Sequence, residues 1–288
     1  MQFPLIDVRS YVCSVGKRRM SAFRQFVHAG RVAMQFKGPK VVRAVHRSEV
    51  SRRTTTSSLE RYMADRVPYF YKEPAAIAES FGKGYFVSAI QEILLKLPTA
   101  DSFRDSHFGE ILAAVYAEEV LGLKRLYSKL ALLTAENANA YKMDVLLYRP
   151  GCDPAQFVFA EVKSSMKTAA DGLPPGHDKV CFKKLFTSLN DYSESDLRFD
   201  LAAIGERFPQ ISQPDRDIIA NSLLPHNQQH VEYAAFCVID HSTHDDRESR
   251  LLATRSSNKV FEVDLLCVAE LPDVVDGTYS ILGRARGV

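Results

Sequence analysis

The sequence predicts an α/β protein with a mixed central sheet flanked by helices. Three observations carry this. A stretch apolar nearly all round, residues 111–121, precedes three strand-like runs at 126–134, 143–148 and 156–163. Helical spacing then returns, with Phe182, Leu185, Phe186 and Leu189 on one stripe behind Asp178. Two more apolar runs, 231–239 and 259–268, read as strands after helical segments at 197–208 and 215–224, the latter opened by Pro214. That order of elements fits an α/β sandwich.

The helix over 111–121 reads as buried. Ile111, Leu112, Val115, Tyr116, Val120 and Leu121 leave little polar face. Asp105 or Ser106 is expected to cap it. Glu110 shares a side with Ala113, Ala114 and Ala117, small residues that permit close packing, so its carboxylate could reach an adjoining sheet. The plainer reading is a first-turn glutamate favoured by the helix dipole. Glu118 and Glu119 read as structural, paired with Lys124 or Arg125.

The second and third runs hold the candidate chemistry. Strand interiors disfavour charge, and an unpaired buried charge is costly. Yet Asp144 lies in one run and Glu161-Val162-Lys163 ends the other. Alternation points Glu161 and Lys163 the same way, with Phe157 and Phe159 behind them. Asp144, Leu146 and Tyr148 share a face of the earlier run. A hairpin across residues 149–155, where Pro150, Gly151, Asp153 and Pro154 are turn formers, brings Asp144 beside Glu161 or Lys163. One carboxylate from each strand can then ligate Mg²⁺, and Lys163 can hold a phosphate or orient water. Taken singly, Glu-x-Lys is usually a solvated pair, and an aspartate in an apolar run marks an edge or bulge. Together they point to a metal-dependent phosphodiesterase.

Phe108-Gly109-Glu110, Tyr127-Ser128-Lys129-Leu130, residues 137–144 and Phe159-Ala160-Glu161-Val162-Lys163 resemble the HamA family. HamA is the nuclease component of the bacterial Hachiman anti-phage system, with a PD-(D/E)XK restriction-endonuclease-like core. The resemblance spans about residues 104–165 and more loosely the remainder to about 270; the first 100 residues carry none. It implies that Glu110, Asp144, Glu161 and Lys163 form the catalytic site. Glu110, Asp144 and Glu161 would ligate Mg²⁺, with Mn²⁺ able to substitute. It further implies a DNA substrate, a HamB-like helicase partner and a role in antiviral defence. Lys142-Met143 stands where the family pattern has a glycine. Two alternatives stay open: a noncatalytic DNA-binding or adaptor subunit on the same fold, and a restriction or repair nuclease acting alone.

Charge is unevenly placed. The chain of 288 residues carries +2 overall, but residues 1–53 hold twelve Lys or Arg against Asp7 and Glu49, leaving residues 54–288 at −8. With Tyr11, Phe23, Phe26 and Phe36 interspersed, this segment fits phosphate contact or a solvated arm. Residues 48–58 read as a linker, and 59–98 as helical, broken at Gly82-Lys83-Gly84 and ended by Pro98. The expected organisation is a basic N-terminal segment and linker over 1–58, a helical segment over 59–100 and the nuclease-like domain over 101–288.

Lys142, Lys179, Lys183 and Lys184 are candidate DNA contacts, with a solvated basic face as the plainer reading. Asp240-His241-Ser242-Thr243-His244-Asp245-Asp246 reads as a polar loop that could hold a metal. His226 and His230 rank below it. Gly82-Lys83-Gly84 lacks the phosphate-loop spacing, and no Gly-x-Ser-x-Gly elbow supports acyl transfer. Five cysteines without a Cys-x-x-Cys pair argue against a disulfide framework or zinc knuckle. No apolar run of membrane-spanning length and no leader-type segment occur, so the expected setting is the cytoplasm, without a membrane partner.

Overall fold

Most of the central strands carry long apolar runs, as a sheet covered on both faces requires. The computed structural model describes residues 22–35, 42–72, 74–133, 143–168, 178–205, 213–224, 227, 229–245, 247 and 257–285. Its seven strands are β1 (Val27–Gln35), β2 (Val42–Val50), β3 (Lys124–Ser128), β4 (Val145–Arg149), β5 (Gln156–Ser165), β6 (His230–Asp240) and β7 (Phe261–Val268). They line up as β1-β2-β7-β6-β5-β4-β3. The inner four, β2, β7, β6 and β5, are parallel. β1 pairs antiparallel with β2 at one edge, and β4 and β3 pair antiparallel beyond β5 at the other.

Two layers of helix cover the sheet. On one face lie α1 (Leu59–Arg66), α2 (Pro68–Tyr71), α3 (Pro74–Gly82), α4 (Phe86–Lys96), α5 (Asp101–Glu119) and α9 (Leu271–Ala285). On the other lie α6 (Asp178–Asp191), α7 (Glu194–Gly205) and α8 (Gln213–Ser222). Strand β5 divides its side chains as expected. Val158, Ala160 and Val162 enter the α5 layer, and Phe157 and Phe159 the α6 layer. The β4–β5 hairpin turns through Gly151, whose φ of 80° lies in the left-handed region that glycine tolerates.

Several local expectations change. Helix α5 starts at Asp101, so Asp105 and Ser106 lie inside it rather than capping it. The first core strand stops at Ser128, not near residue 134. Ser128 Oγ accepts the Leu130 N–H at 3.2 Å and turns the chain into a 3₁₀ segment, Lys129–Leu132. Strand β4 begins at Val145, leaving Asp144 just before it. Glu118 meets Arg125 at 3.7 Å as expected. Glu119 instead accepts the Phe23 N–H at 2.9 Å, bonds Tyr62 and pairs with Arg66 at 3.0 Å. Helix α9 has no counterpart in the sequence reading.

The expected linker at 48–58 is the largest difference. Ser48, Glu49 and Val50 complete β2 alongside β7, and the Ser48 hydroxyl meets the Tyr116 hydroxyl at 2.9 Å in the core. Ser51 N donates to Phe26 O at 2.8 Å, and Arg53 bridges to Ser58. Three basic residues of the N-terminal segment, Arg24, Arg47 and Arg52, have internal partners. Arg24 donates to the Glu119 and Val120 carbonyls, and Arg47 pairs with Glu49 at 2.6 Å. Arg52 bonds Glu60 and Glu270 and reaches Asp273 at 2.9 Å, tying the end of β2 to α1 and α9. Arg9, Lys17, Arg18, Arg19, Lys37 and Lys40 lie outside the described residues. Among the described residues no helix is long and apolar enough to cross a membrane. Cys152, Cys181, Cys237 and Cys267 are free thiols.

Arg52 carries a stability prediction. Glu60 is buried, and although burial pushes its carboxyl up, the Arg52 bond leaves it below its ordinary value. Its stabilising contribution is therefore present near neutral pH and fades as acid protonates it. Arg52→Met should cost roughly 3 kcal/mol by leaving that carboxylate unpaired. Urea unfolding checks it; an unchanged midpoint would return Arg52 to the solvated basic face.

Candidate active site

The carboxyl ends of β5, β6 and β7 open into a cleft of about 1260 Å³. Open α/β sheets bind ligands at this edge. Glu110, Lys129, Asp144 and Lys163 line it. Glu161 sits behind the wall, buried and bonded to the Lys163 ammonium.

Each side chain is placed by its element. The pairing Val145↔Ala160 sets Asp144 opposite Glu161. One Asp144 oxygen, Oδ2, accepts the Val162 N–H at 2.7 Å, and the other accepts the Lys129 ammonium. Lys129 also reaches Glu110 Oε1 at 3.0 Å, so one ammonium joins the helix carboxylate to the sheet carboxylate. Ser106 Oγ donates to Glu110 Oε1 at 3.3 Å. The other Glu110 oxygen, Oε2, is buried without a hydrogen-bond partner. Helix α5 can come this close because residue 109 is glycine. A Cβ there would meet Ser164 Cβ at 2.5 Å and Oγ at 2.7 Å. Ser164 Oγ donates to the Asp105 carbonyl at 3.2 Å and ties helix to strand.

The electrostatics follow from burial. Burial, then the Asp144 charge, pushes the Glu110 carboxyl up to about 8. The same two causes push Glu161 up to about 7, with Lys163 opposing them. Burial works against the Lys163 ammonium, but Asp144 and Glu161 hold its pKa above the ordinary value. Lys129 is raised likewise by Asp144 and Glu110 against burial. His107, one turn before Glu110 and bonded to Tyr71 at 2.7 Å, is pushed down to about 4 by burial and then Lys129.

The donor set fits a hard divalent cation in chemistry: three buried carboxylates, one with an orphaned oxygen, beside an open cleft. It is not a finished cage. Among the described residues no three His, Cys, Asp or Glu side chains are grouped to hold a metal ion. The lysines explain this, since Lys129 pairs with Glu110 and Asp144, and Lys163 with Glu161.

The other candidates separate. Lys183 and Lys184 are exposed on α6, and Lys184 lines the cleft. Lys142, the Lys179 side chain and His226 lie outside the described residues. Among the described residues of the loop after β6 no three metal-ligating side chains are grouped. Buried Asp240 accepts Ser242 N and Leu271 N, both at 2.9 Å, so it fixes the turn and the start of α9. His230 is exposed at the far end of β6. Two residues that shape the site, Lys129 and Gly109, were within the motifs quoted above but had no role assigned.

Two predictions follow from this geometry. Gly109→Ala should destabilise by about 1–3 kcal/mol through overpacking, and Ser164→Gly should relieve most of that cost; additive costs in a double-mutant cycle would contradict the close contact. The second concerns pH. A carboxyl raised in the folded state keeps a proton that the unfolded chain releases, so stability falls as pH rises through that interval. His107 has the opposite sign between about 4 and its ordinary 6.5, leaving 6.5 to 8 as the clear window. In EDTA, melting temperature should fall across that window, and Glu110→Gln should flatten the fall. Equal slopes for both proteins would contradict the burial argument.

The HamA family model matches residues 22–273 of the 288. The match begins well before the stretch in which the sequence carried a resemblance, and it takes in β1, β2 and α1–α4. No curated protein matches the chain. The chain belongs to the HamA family of the Hachiman anti-phage defence system.

Proposed function

We propose that this chain is a divalent-metal-dependent DNA endonuclease, the effector of Hachiman defence, on a PD-(D/E)XK-like core. One observation carries the reading: Glu110, Asp144 and Glu161 converge with Lys163 at the carboxyl edge of the sheet, beside an open cleft.

Asp144 and Glu161, with Glu110, would hold Mg²⁺, and Mn²⁺ could substitute. Once bound, the ion supplies a lowered pKa for water and neutralisation of charge on the phosphoryl oxygens. The residues do the positioning. The Val162 N–H fixes Asp144 at one oxygen and leaves its orientation little freedom. Lys163, held charged by Asp144 and Glu161, orients a phosphate oxygen or the attacking water. Lys184 lines the cleft and would meet a backbone phosphate, exposed Lys183 would extend that contact, and Lys142 and Lys179 are proposed for the same role from the sequence alone. Family membership supports an accompanying HamB-like helicase and disfavours a nuclease acting alone. A noncatalytic DNA-binding subunit is the second reading, favoured by the lysine pairing that ties up the carboxylates.

Cleavage of plasmid and linear DNA in Mg²⁺, Mn²⁺ or EDTA, with and without the helicase, tests this. Cutting should require metal and fall roughly 10²- to 10³-fold in Lys163→Ala. Undiminished cutting in EDTA or by the variant would remove the assignment. DNA binding without cutting under every condition would establish the second reading.

A further inference from the structure

The Lys129 ammonium occupies the place between the helix carboxylate and the sheet carboxylate. It bonds Asp144 and lies 3.0 Å from Glu110 Oε1. Its backbone is fixed there as well. Lys129 N donates to Asp144 O at 3.3 Å, and Lys96 Nζ holds the next turn through Ala131 O at 3.4 Å. One ammonium nevertheless satisfies the pair incompletely, since Glu110 Oε2 remains buried and unbonded. A larger charge with more coordination positions would satisfy both acids better. The Lys129 side chain retains 18% exposure and borders the cleft, so it has somewhere to go.

We propose that Lys129 is the resident counter-ion of the resting site. It holds Glu110 against Asp144 when no divalent ion is bound, and its ammonium must leave that position before these carboxylates take up metal. It is a positioning residue, and it makes metal loading a competition rather than a simple filling of a cage. The inference rests on the metal-dependent reading above. Removing Lys129 alone would leave two buried carboxylates facing each other, so the metal-free variant should be less stable and metal should restore it.

The test is Mn²⁺ titration of the full chain by calorimetry, with melting temperature recorded with and without Mn²⁺. Lys129→Met should bind Mn²⁺ about tenfold tighter or more, as expected when a like charge a few ångströms from the ion is removed. It should also show a larger Mn²⁺-induced rise in melting temperature than wild type. Lys129→Arg, which keeps the charge, should bind no more tightly than wild type. Lys129→Gln, which retains hydrogen bonding to the acids, serves if the methionine variant does not fold without metal, and it should also bind more tightly. Equal or weaker binding by the neutral variants, with wild-type binding intact, overturns the counter-ion role alone. No binding by any of these proteins overturns the metal reading and this role with it.

Discussion

Three buried carboxylates at the junction of an apolar helix and an apolar sheet are the constraint around which this structure is arranged. Ionised carboxylates in such surroundings require partners, or they stay protonated. Asp144 obtains them by facing two ways, to the Val162 N–H within the sheet and to Lys129 outside it. Glu161 is held by Lys163 two residues on. Glu110 is the least satisfied, with one oxygen unbonded, and burial pushes its carboxyl up. Three buried acids beside two lysines are unfavourable for folding and favourable for exchanging protons for a cation.

The surrounding elements keep this junction rigid. Residues 107–117 of helix α5 are buried all round because they lie between the sheet and the N-terminal and C-terminal helices, so the helix cannot rotate to expose Glu110. Gly109 lets it settle on Ser164. Arg52 links the β2 end to α1 and α9, which pack together beside the cleft rim. Asp240 joins the end of β6 to the first turn of α9. The segment before residue 59 thus contributes to the sheet that carries the site, consistent with a family match that starts at residue 22.

The candidate site was legible in the sequence where the signal was local. Alternation along β5 placed Phe157 and Phe159 opposite Val158 and Ala160, and the turn formers after Arg149 set the hairpin that brings Asp144 to Glu161. Strand β2 was not legible. Its segment is rich in arginine, and its pairing with β7 joins residues more than two hundred apart. What looked like a solvated basic stretch is partly a set of internal ion pairs that only the fold reveals. Lys129 was obscured for the same reason, because its partners lie 19 residues before and 15 after it. Helix α9 is different. Val274, Val275, Thr278, Tyr279 and Leu282 recur at helical spacing, and Gly277 sits where a Cβ would meet Glu60 Cγ at 2.8 Å. Periodicity alone carries that element.

The central claim is that these carboxylates form a divalent-cation site. Anomalous diffraction from crystals grown with Mn²⁺ tests it most directly. The account predicts an anomalous peak in contact with Asp144 and Glu161, with Glu110 turned toward it. Crystals saturated with Mn²⁺ that show no peak in the cleft would contradict it.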